Sequence, residues 1–232
     1  MTETHPEWSK VLEAAAHLQR LVPDAVLVGG TAAAGHAGHR VSFDDDHVLT
    51  DLRERFDELL GDLEATEGWI TARIRRPVLI LGSLDGIETG IRQLIRRRPL
   101  EVETMLTPSG QSLQVPTLNE MARIKAWLVL ERNATRDYLD VVALSDRLGA
   151  RAITVLSDID SYYSDQIGPG GQRVSTQLAR QLAEPMPYDL SSVDLAIYRN
   201  LDKRWQDWGN VAAACSDIAV GMLDFAARGG GP

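Results

Sequence analysis

Three groups of residues in this chain have the types and spacing for chemistry on a phosphate ester. The first is Gly29-Gly30-Thr31, directly after the apolar run Ala25 to Val28. Such a run reads as a buried strand, and the two glycines break it. Thr31 is expected to cap the helix that Ala32, Ala33 and Ala34 begin. A glycine turn feeding a helix N-terminus presents backbone N–H groups to an anion, most often a phosphate. The second group is Ser42, Asp44 and Asp46. Residues two apart share one face of an extended chain, so all three are predicted to point the same way. Two carboxylates on one face, near a phosphate-binding turn, suit Mg²⁺ held against a nucleotide. Taken singly, each piece reads more readily as a turn or an acidic surface loop. Their order and spacing favour the site.

The third group lies some distance on. Of the 24 basic residues only Lys10, Lys125 and Lys203 are lysines, so a lysine at an interior helical position stands out. Lys125 and Arg132 are two helical turns apart and share a face. Asp137 falls in the first turn of the next predicted helix, and Asp140 one turn later. A lysine suits a triphosphate as a compact point charge, and an aspartate could complete a metal shell or activate a hydroxyl. A surface salt-bridge network is the competing reading wherever Arg and Asp crowd a helix end.

These residues need elements to carry them. Apolar positions at Trp8, Val11, Leu12, Ala15, Leu18 and Leu21 have helical spacing and predict a first amphipathic helix over 7–22, which Pro23-Asp24 ends. The helix after Gly30 runs to about Gly38, with His36 and His39 at its end in a capping or packing role. Leu52, Phe56, Leu59, Leu60 and Leu63 predict another helix. Strands are expected over 69–74 and 77–81, with Asp85-Gly86 as a hairpin turn before Ile87. A further strand pair flanks Pro108-Ser-Gly110. Strand and helix alternate early and then give way to a meander, which implies a mixed sheet in an α/β (α+β) domain. From Thr117-Leu-Asn-Glu120, a capping-box pattern, the chain is predicted to be helical: 118–130, 136–148, 152–163, 174–182, 191–204 and 210–227. The expected organisation is a sheet-bearing domain over 1–115, a helical domain over 116–228 and a disordered tail over 229–232, with the site where the halves meet.

The bulk numbers fit an ordinary globular chain: 232 residues, 44% apolar and 25% charged. No run approaches the apolar length expected of a membrane span, the N-terminus has no signal-peptide character, and a single cysteine excludes an internal disulfide. A reducing cytoplasm is the expected location. Cys215 has an apolar helical context and is expected in the core. The net charge of −9 argues against bulk attraction to nucleic acid. Local basic clusters remain, at Arg73 with Arg75-Arg76 and at Arg92 with Arg96-Arg97-Arg98.

Gly29-Gly30-Thr31, Arg40-Val-Ser42-Phe-Asp44-Asp-Asp46, Lys125 and Arg132-Asn-Ala-Thr-Arg136-Asp137-Tyr-Leu-Asp140 together resemble the AbiEii-type nucleotidyltransferase toxins of the DNA polymerase beta-like nucleotidyltransferase superfamily. The resemblance covers roughly residues 25–148. It implies a nucleotidyltransferase-fold mixed sheet with flanking helices and a helical C-terminal domain. It also implies Mg²⁺-dependent transfer from an NTP to an acceptor hydroxyl, with tRNA favoured and a cognate antitoxin as partner. By position, Gly29, Gly30 and Thr31 would cradle phosphate, Arg40 and Ser42 would line the nucleotide site, and Asp44 and Asp46 would hold the metal. Lys125 and Asp137 would act on the phosphates and the acceptor. The alternatives are transfer to a protein or an antibiotic-type small molecule, or a catalytically silent nucleotide-binding domain. Two departures stand out. Asp45 and His47 replace residues that are usually apolar or aromatic, which implies an exposed or irregular strand end. The third carboxylate that many superfamily members carry on a neighbouring strand is missing where Gly90 stands, leaving Glu88, Glu101, Asp137 or Asp140 as candidates.

Overall fold

The computed structural model describes residues 6–167, 170–191 and 194–229. Residues 230–232 of the predicted tail lie outside them. The chain divides into two compact units. One comprises residues 1–35 and 41–117, the other residues 36–40 and 118–232.

The first unit is a mixed sheet with helices. Its elements are α1 (Pro6–Leu21), β1 (Val26–Leu27), α2 (Gly29–Ala37, whose last residues belong to the second unit), β2 (Asp45–Leu49), α3 (Phe56–Glu64), β3 (Trp69–Arg75), β4 (Leu79–Leu84), β5 (Ile87–Gln93), β6 (Val102–Leu106) and β7 (Ser112–Pro116). Five strands form one sheet in the order β1-β2-β5-β4-β3, and β6 and β7 pair separately. Strand β5 runs parallel to β2 and antiparallel to β4. The Asp85-Gly86 turn forms as predicted, with both residues at positive φ (53° and 80°), the backbone a two-residue hairpin requires.

Register divides the sheet into two faces. On one, His47, Ile91 and Ile80 stand in a row. They join Leu49, Leu84 and Trp69 under α1 and α3, whose Leu18, Phe56, Leu59, Leu60 and Leu63 complete the core. On the other face Asp46, Gly90, Leu81 and Arg73 form one row, and Val48, Arg92, Leu79 and Arg75 the next. Arg73, Arg75 and Arg92 are exposed there. The sheet is therefore apolar on one side and basic on the other.

The second unit is helical: α4 (Leu118–Arg132), α5 (Thr135–Leu148), α6 (Ala152–Ser157), α7 (Asp160–Tyr163), α8 (Val174–Ala183) and α9 (Trp208–Ala227). Trp127 stacks on Tyr163 with centroids 4.7 Å apart, and Tyr138 meets Trp208 edge-on at 5.9 Å. Two predicted helices are corrected. The 152–163 segment is broken into α6 and α7; of 191–204, residues 192–193 lie outside the described residues, and the rest carries the short turns Leu195–Ile197 and Lys203–Trp205. Here Asp194 and Asp202 accept hydrogen bonds from Ala196 N and Arg204 N, and Asn200 takes a positive φ. Such local side-chain bonds compete with helical ones. The expectation of no membrane-length apolar run is also corrected. By length and composition α9 is apolar enough to cross a membrane, with a window mean hydropathy of 1.3. Its Val211, Cys215, Ile218, Ala219 and Met222 are buried, and the helix packs on α8 and α6. Burial pushes the Cys215 thiol up to about 12, in keeping with a core residue.

Candidate active site

In the first unit the site is built on the chain reversal between β1 and α2. Gly29 opens α2 at φ +73°, a conformation glycine adopts without strain. Helix α2 starts three residues earlier than predicted, so Thr31 is not its cap. Thr31 sits inside the first turn, fully buried, and its Oγ1 donates to the Asp44 carbonyl at 2.6 Å. Val28 N donates to the Asp46 carbonyl at 2.7 Å. These two bonds hold the backbone on either side of Asp45. A hydroxyl expected to cradle phosphate is thus a tie that positions Asp44. Thr31→Val conserves volume and deletes that bond. It is expected to cost about 1–2 kcal/mol, readable as a shift in the urea midpoint.

Strand β2 begins only at Asp45, and alternation sets in there. Asp45 and His47 are fully buried, whereas Asp44 is exposed and Asp46 partly so. Ser42 precedes the strand and is buried, unlike Asp44 and Asp46. The expected exposed or irregular strand end is corrected too. Asp45 Oδ1 lies 3.1 Å from His47 Nδ1, and Thr89 Oγ1 donates to Asp45 Oδ2 at 3.3 Å. Both departures face the core: the Asp45 carboxylate lies against the imidazole two residues on and accepts a hydroxyl from the neighbouring strand, while its Oδ1 and both His47 nitrogens have no hydrogen-bond partner.

Asp46 lies in a cradle made by two glycines. A Cβ on Gly90 would come within 2.7 Å of its Oδ1, and one on Gly29 within 3.3 Å of its Oδ2. Gly90 is also the register partner of Asp46 on β5, the place where a third carboxylate was sought. Glu88 is exposed one pleat away, and Glu101 lies 4.0 Å from Arg98. Among the described residues no group of three or more His, Cys, Asp or Glu forms a metal cluster. Two carboxylates that solvent reaches, Asp44 and Asp46, suit one Mg²⁺, an ion that completes its octahedron with water and substrate phosphate. Sequence reasoning placed Arg92 in a basic cluster but missed its pairing: its Nε and Nη2 both lie 3.4 Å from Asp46 Oδ1. Only the β2–β5 register reveals that pairing.

The second unit holds the other predicted residues. Asp140 is fully buried and gathers three basic groups. Its Oδ1 accepts from Arg40 Nε at 2.8 Å and lies 2.7 Å from His39 Nε2, while its Oδ2 accepts from Arg40 Nη2 at 3.0 Å and from Lys125 Nζ at 2.7 Å. Burial pushes this carboxyl up, but Arg40, Lys125 and His39 hold it well below the usual range. With both oxygens engaged, Asp140 is a structural anchor rather than the third metal ligand. Arg40, expected to bind nucleotide, instead directs Nε and Nη2 to Asp140 and is almost fully buried.

Asp137 is the contrast. It is fully buried, neither oxygen has a hydrogen-bond partner, and Lys125 Nζ is 4.0 Å from its Oδ1. Burial raises its carboxyl above the ordinary value, outweighing Lys125 and Arg132, which pull it down. An unpartnered carboxylate with a raised pKa is a stronger proton acceptor than an exposed one and is held at a cost in stability. Its position is set by the α4–α5 turn. Asn133 takes φ 48°, its Oδ1 accepts from Tyr138 Oη and Gln181 Nε2, and Asp189 accepts from Thr135 N and Oγ1 at the start of α5. Asp137→Asn is expected to leave stability unchanged or slightly higher, since it removes a buried charge, and thermal melts check this.

The chain matches no family model. It is 32% identical, over 93% of its length, to part of the heme uptake protein MmpL11 of Mycobacterium tuberculosis, and 36% identical, over 56% of its length, to part of the mycolic acid-containing lipids exporter MmpL11 of Mycolicibacterium smegmatis. The matches account for 23% and 13% of those proteins, so the chain spans less than a quarter of the curated relatives it matches. Among solved structures it resembles a candidate nucleotidyltransferase from H. pylori, with a TM-score of 0.57, 14% identity, and 98% of this chain and 99% of that chain covered. A nucleotidyltransferase-like protein from Paracoccidioides brasiliensis aligns with a TM-score of 0.48 at 16% identity, covering 80% of this chain and 91% of that one. The chain has the nucleotidyltransferase fold.

Proposed function

We propose that the chain is a Mg²⁺-dependent nucleotidyltransferase that moves a nucleotide from an NTP to an acceptor hydroxyl. The observation that carries this reading is the pair Asp44 and Asp46, held by Thr31 and Val28 at the start of α2, with Asp46 in the Gly29–Gly90 cradle. The acceptor hydroxyl attacks the α-phosphorus, the bond to the bridging oxygen breaks, and pyrophosphate leaves. Mg²⁺ held by Asp44 and Asp46 would neutralise the triphosphate and align it. The first turn of α2 offers its N–H groups to phosphate oxygens. Asp137, an unpartnered carboxylate, and Lys125, held by Asp140, are the second unit's candidates for the proton acceptor and for the cation that neutralises phosphate charge.

A tRNA acceptor is the favoured substrate, in a cytoplasmic toxin held in check by an antitoxin. The sequence motifs support this, as do Arg73, Arg75 and Arg92, which share the open sheet face with Asp46 and suit a polyanion despite the acidic net charge. Arg76 and Arg96 do not add to that face: Arg76 pairs with Asp57, and Arg96 is buried on the carbonyls of Arg98 and Pro99. Incubation with α-labelled NTPs, Mg²⁺ and total tRNA is expected to label RNA. Label on an antibiotic-type small molecule or a protein hydroxyl, with none on RNA, would replace that acceptor.

A silent nucleotide-binding module is the second reading. The Arg92 contact on Asp46 and the match to a segment of transport proteins favour it. Calorimetry with NTP and Mg²⁺ alongside a pyrophosphate assay separates the two, since a silent module binds and releases no pyrophosphate with any acceptor.

A further inference from the structure

The contact between Arg92 and Asp46 is an odd one for a metal site. The register places Asp46 opposite Gly90 and Val48 opposite Arg92, so Arg92 stands one pleat further along the same face. Gly90 has no side chain, so Asp46 Oδ1 sits where its Cβ would be, and Arg92 brings Nε and Nη2 to 3.4 Å from that oxygen. Both groups remain accessible, at 44% and 31% exposure, so the pair is weak and readily exchanged. A guanidinium there and a divalent cation on the same carboxylate repel each other. A triphosphate arriving with the cation offers the guanidinium a better partner, because phosphate oxygens match its planar fork.

We propose that Arg92 couples nucleotide to metal: its guanidinium occupies Asp46 in the free protein, weakens binding of a bare divalent cation, and moves to the triphosphate when the two arrive together. This rests on the nucleotidyltransferase reading of Asp44 and Asp46. The metal and the nucleotide then bind synergistically, each raising the affinity for the other by the same factor. Arg92 is a positioning residue for Asp46 in the free state and a triphosphate ligand in the loaded one.

The test is Mn²⁺ binding to the full chain by electron paramagnetic resonance, with and without a non-hydrolysable α,β-methylene NTP analogue. Removing one positive charge beside a divalent cation in a water-like medium is expected to tighten Mn²⁺ alone by about five- to tenfold in Arg92→Gln. The same variant loses most of the further tightening that the analogue gives the wild type, and Arg92→Lys, which keeps the charge, stays within about twofold of wild type for Mn²⁺ alone. Equal Mn²⁺ affinity in wild type and Arg92→Gln, or an equal effect of the analogue on both, overturns the proposal. Asp46→Asn separates this failure from a deeper one. If wild type binds Mn²⁺ and analogue no better than Asp46→Asn does, the nucleotidyltransferase reading fails with it. If wild type binds both, Asp46→Asn does not, and the arginine variant is unchanged, only the role of Arg92 is lost.

Discussion

Asp46→Asn is expected to fold normally and to lower nucleotidyl transfer by at least about 10²–10³-fold, several kcal/mol of charge stabilisation. The side chain contributes little to the fold. Its polar partner among the described residues is an exposed arginine at 3.4 Å, and the structural bond at this position runs through the backbone, from Val28 N to the Asp46 carbonyl. Asparagine preserves that bond and the shape of the cradle while removing the charge a cation needs. The expected result is an unchanged melting temperature, lost Mn²⁺ binding and lost activity. An activity within a few-fold of wild type, measured with the acceptor that the wild-type protein labels, would remove Asp46 from the chemistry. A change on the opposite face makes the control. Asp45 faces the core beside His47 and Thr89, so Asp45→Asn should act on stability first.

Asp140→Ala is expected to have the largest effect on stability. Lys125, Arg40 and His39 are all nearly buried and converge on this one carboxylate. Without it, two obligate cations stay buried, and the anion that remains near them among the described residues is Asp137, 4.0 Å from Lys125. Breaking a buried pair from one side costs about 3–5 kcal/mol, which for a chain of this size lowers the melting temperature by about 10 °C. A loss under about 1 kcal/mol would show that the cluster is hydrated or rearranges. The pH dependence follows from the same carboxyl. Its folded pKa lies well below the ordinary 3.8, so the folded state holds the ionised form more tightly than the unfolded chain does. That stability is fully present above 3.8 and is lost as the pH falls through the lower folded value. Wild type should therefore lose part of its stability in that acid window, and Asp140→Ala should lack that component.

Much of the first unit was legible from residue order. The alternation of Trp69 to Ile74, the Asp85-Gly86 turn and the apolar spacing of α1 and α3 are local patterns, and local backbone preference together with one-sided burial suffices to set them. Alternation likewise separates Asp44 and Asp46 from Asp45. What the chain order could not show is where the hydroxyl of Thr31 goes, because the Asp44 carbonyl that accepts it comes from a segment whose path depends on packing. The helix expected over 191–204 failed for a related reason. Its periodicity was real, but Asp194 and Asp202 bond their own backbone two residues on, and that local alternative wins where packing does not oppose it.

By itself the sequence determined the types of the elements, the glycine break at the head of α2 and the doublet of carboxylates that makes nucleotide chemistry worth testing. Tertiary structure alone decided which carboxylates are available for it. Asp140 and Asp137 lie one helical turn apart with similar neighbours in the chain, yet one is held by Lys125, Arg40 and His39 while the other has no hydrogen-bond partner. Arg92 became a neighbour of Asp46 only through the parallel pairing of β2 with β5. The physical reason is common to both cases. A charged group's role depends on its distance to other charges and to water, and residues about 50 or 100 positions apart acquire those distances only when the chain packs.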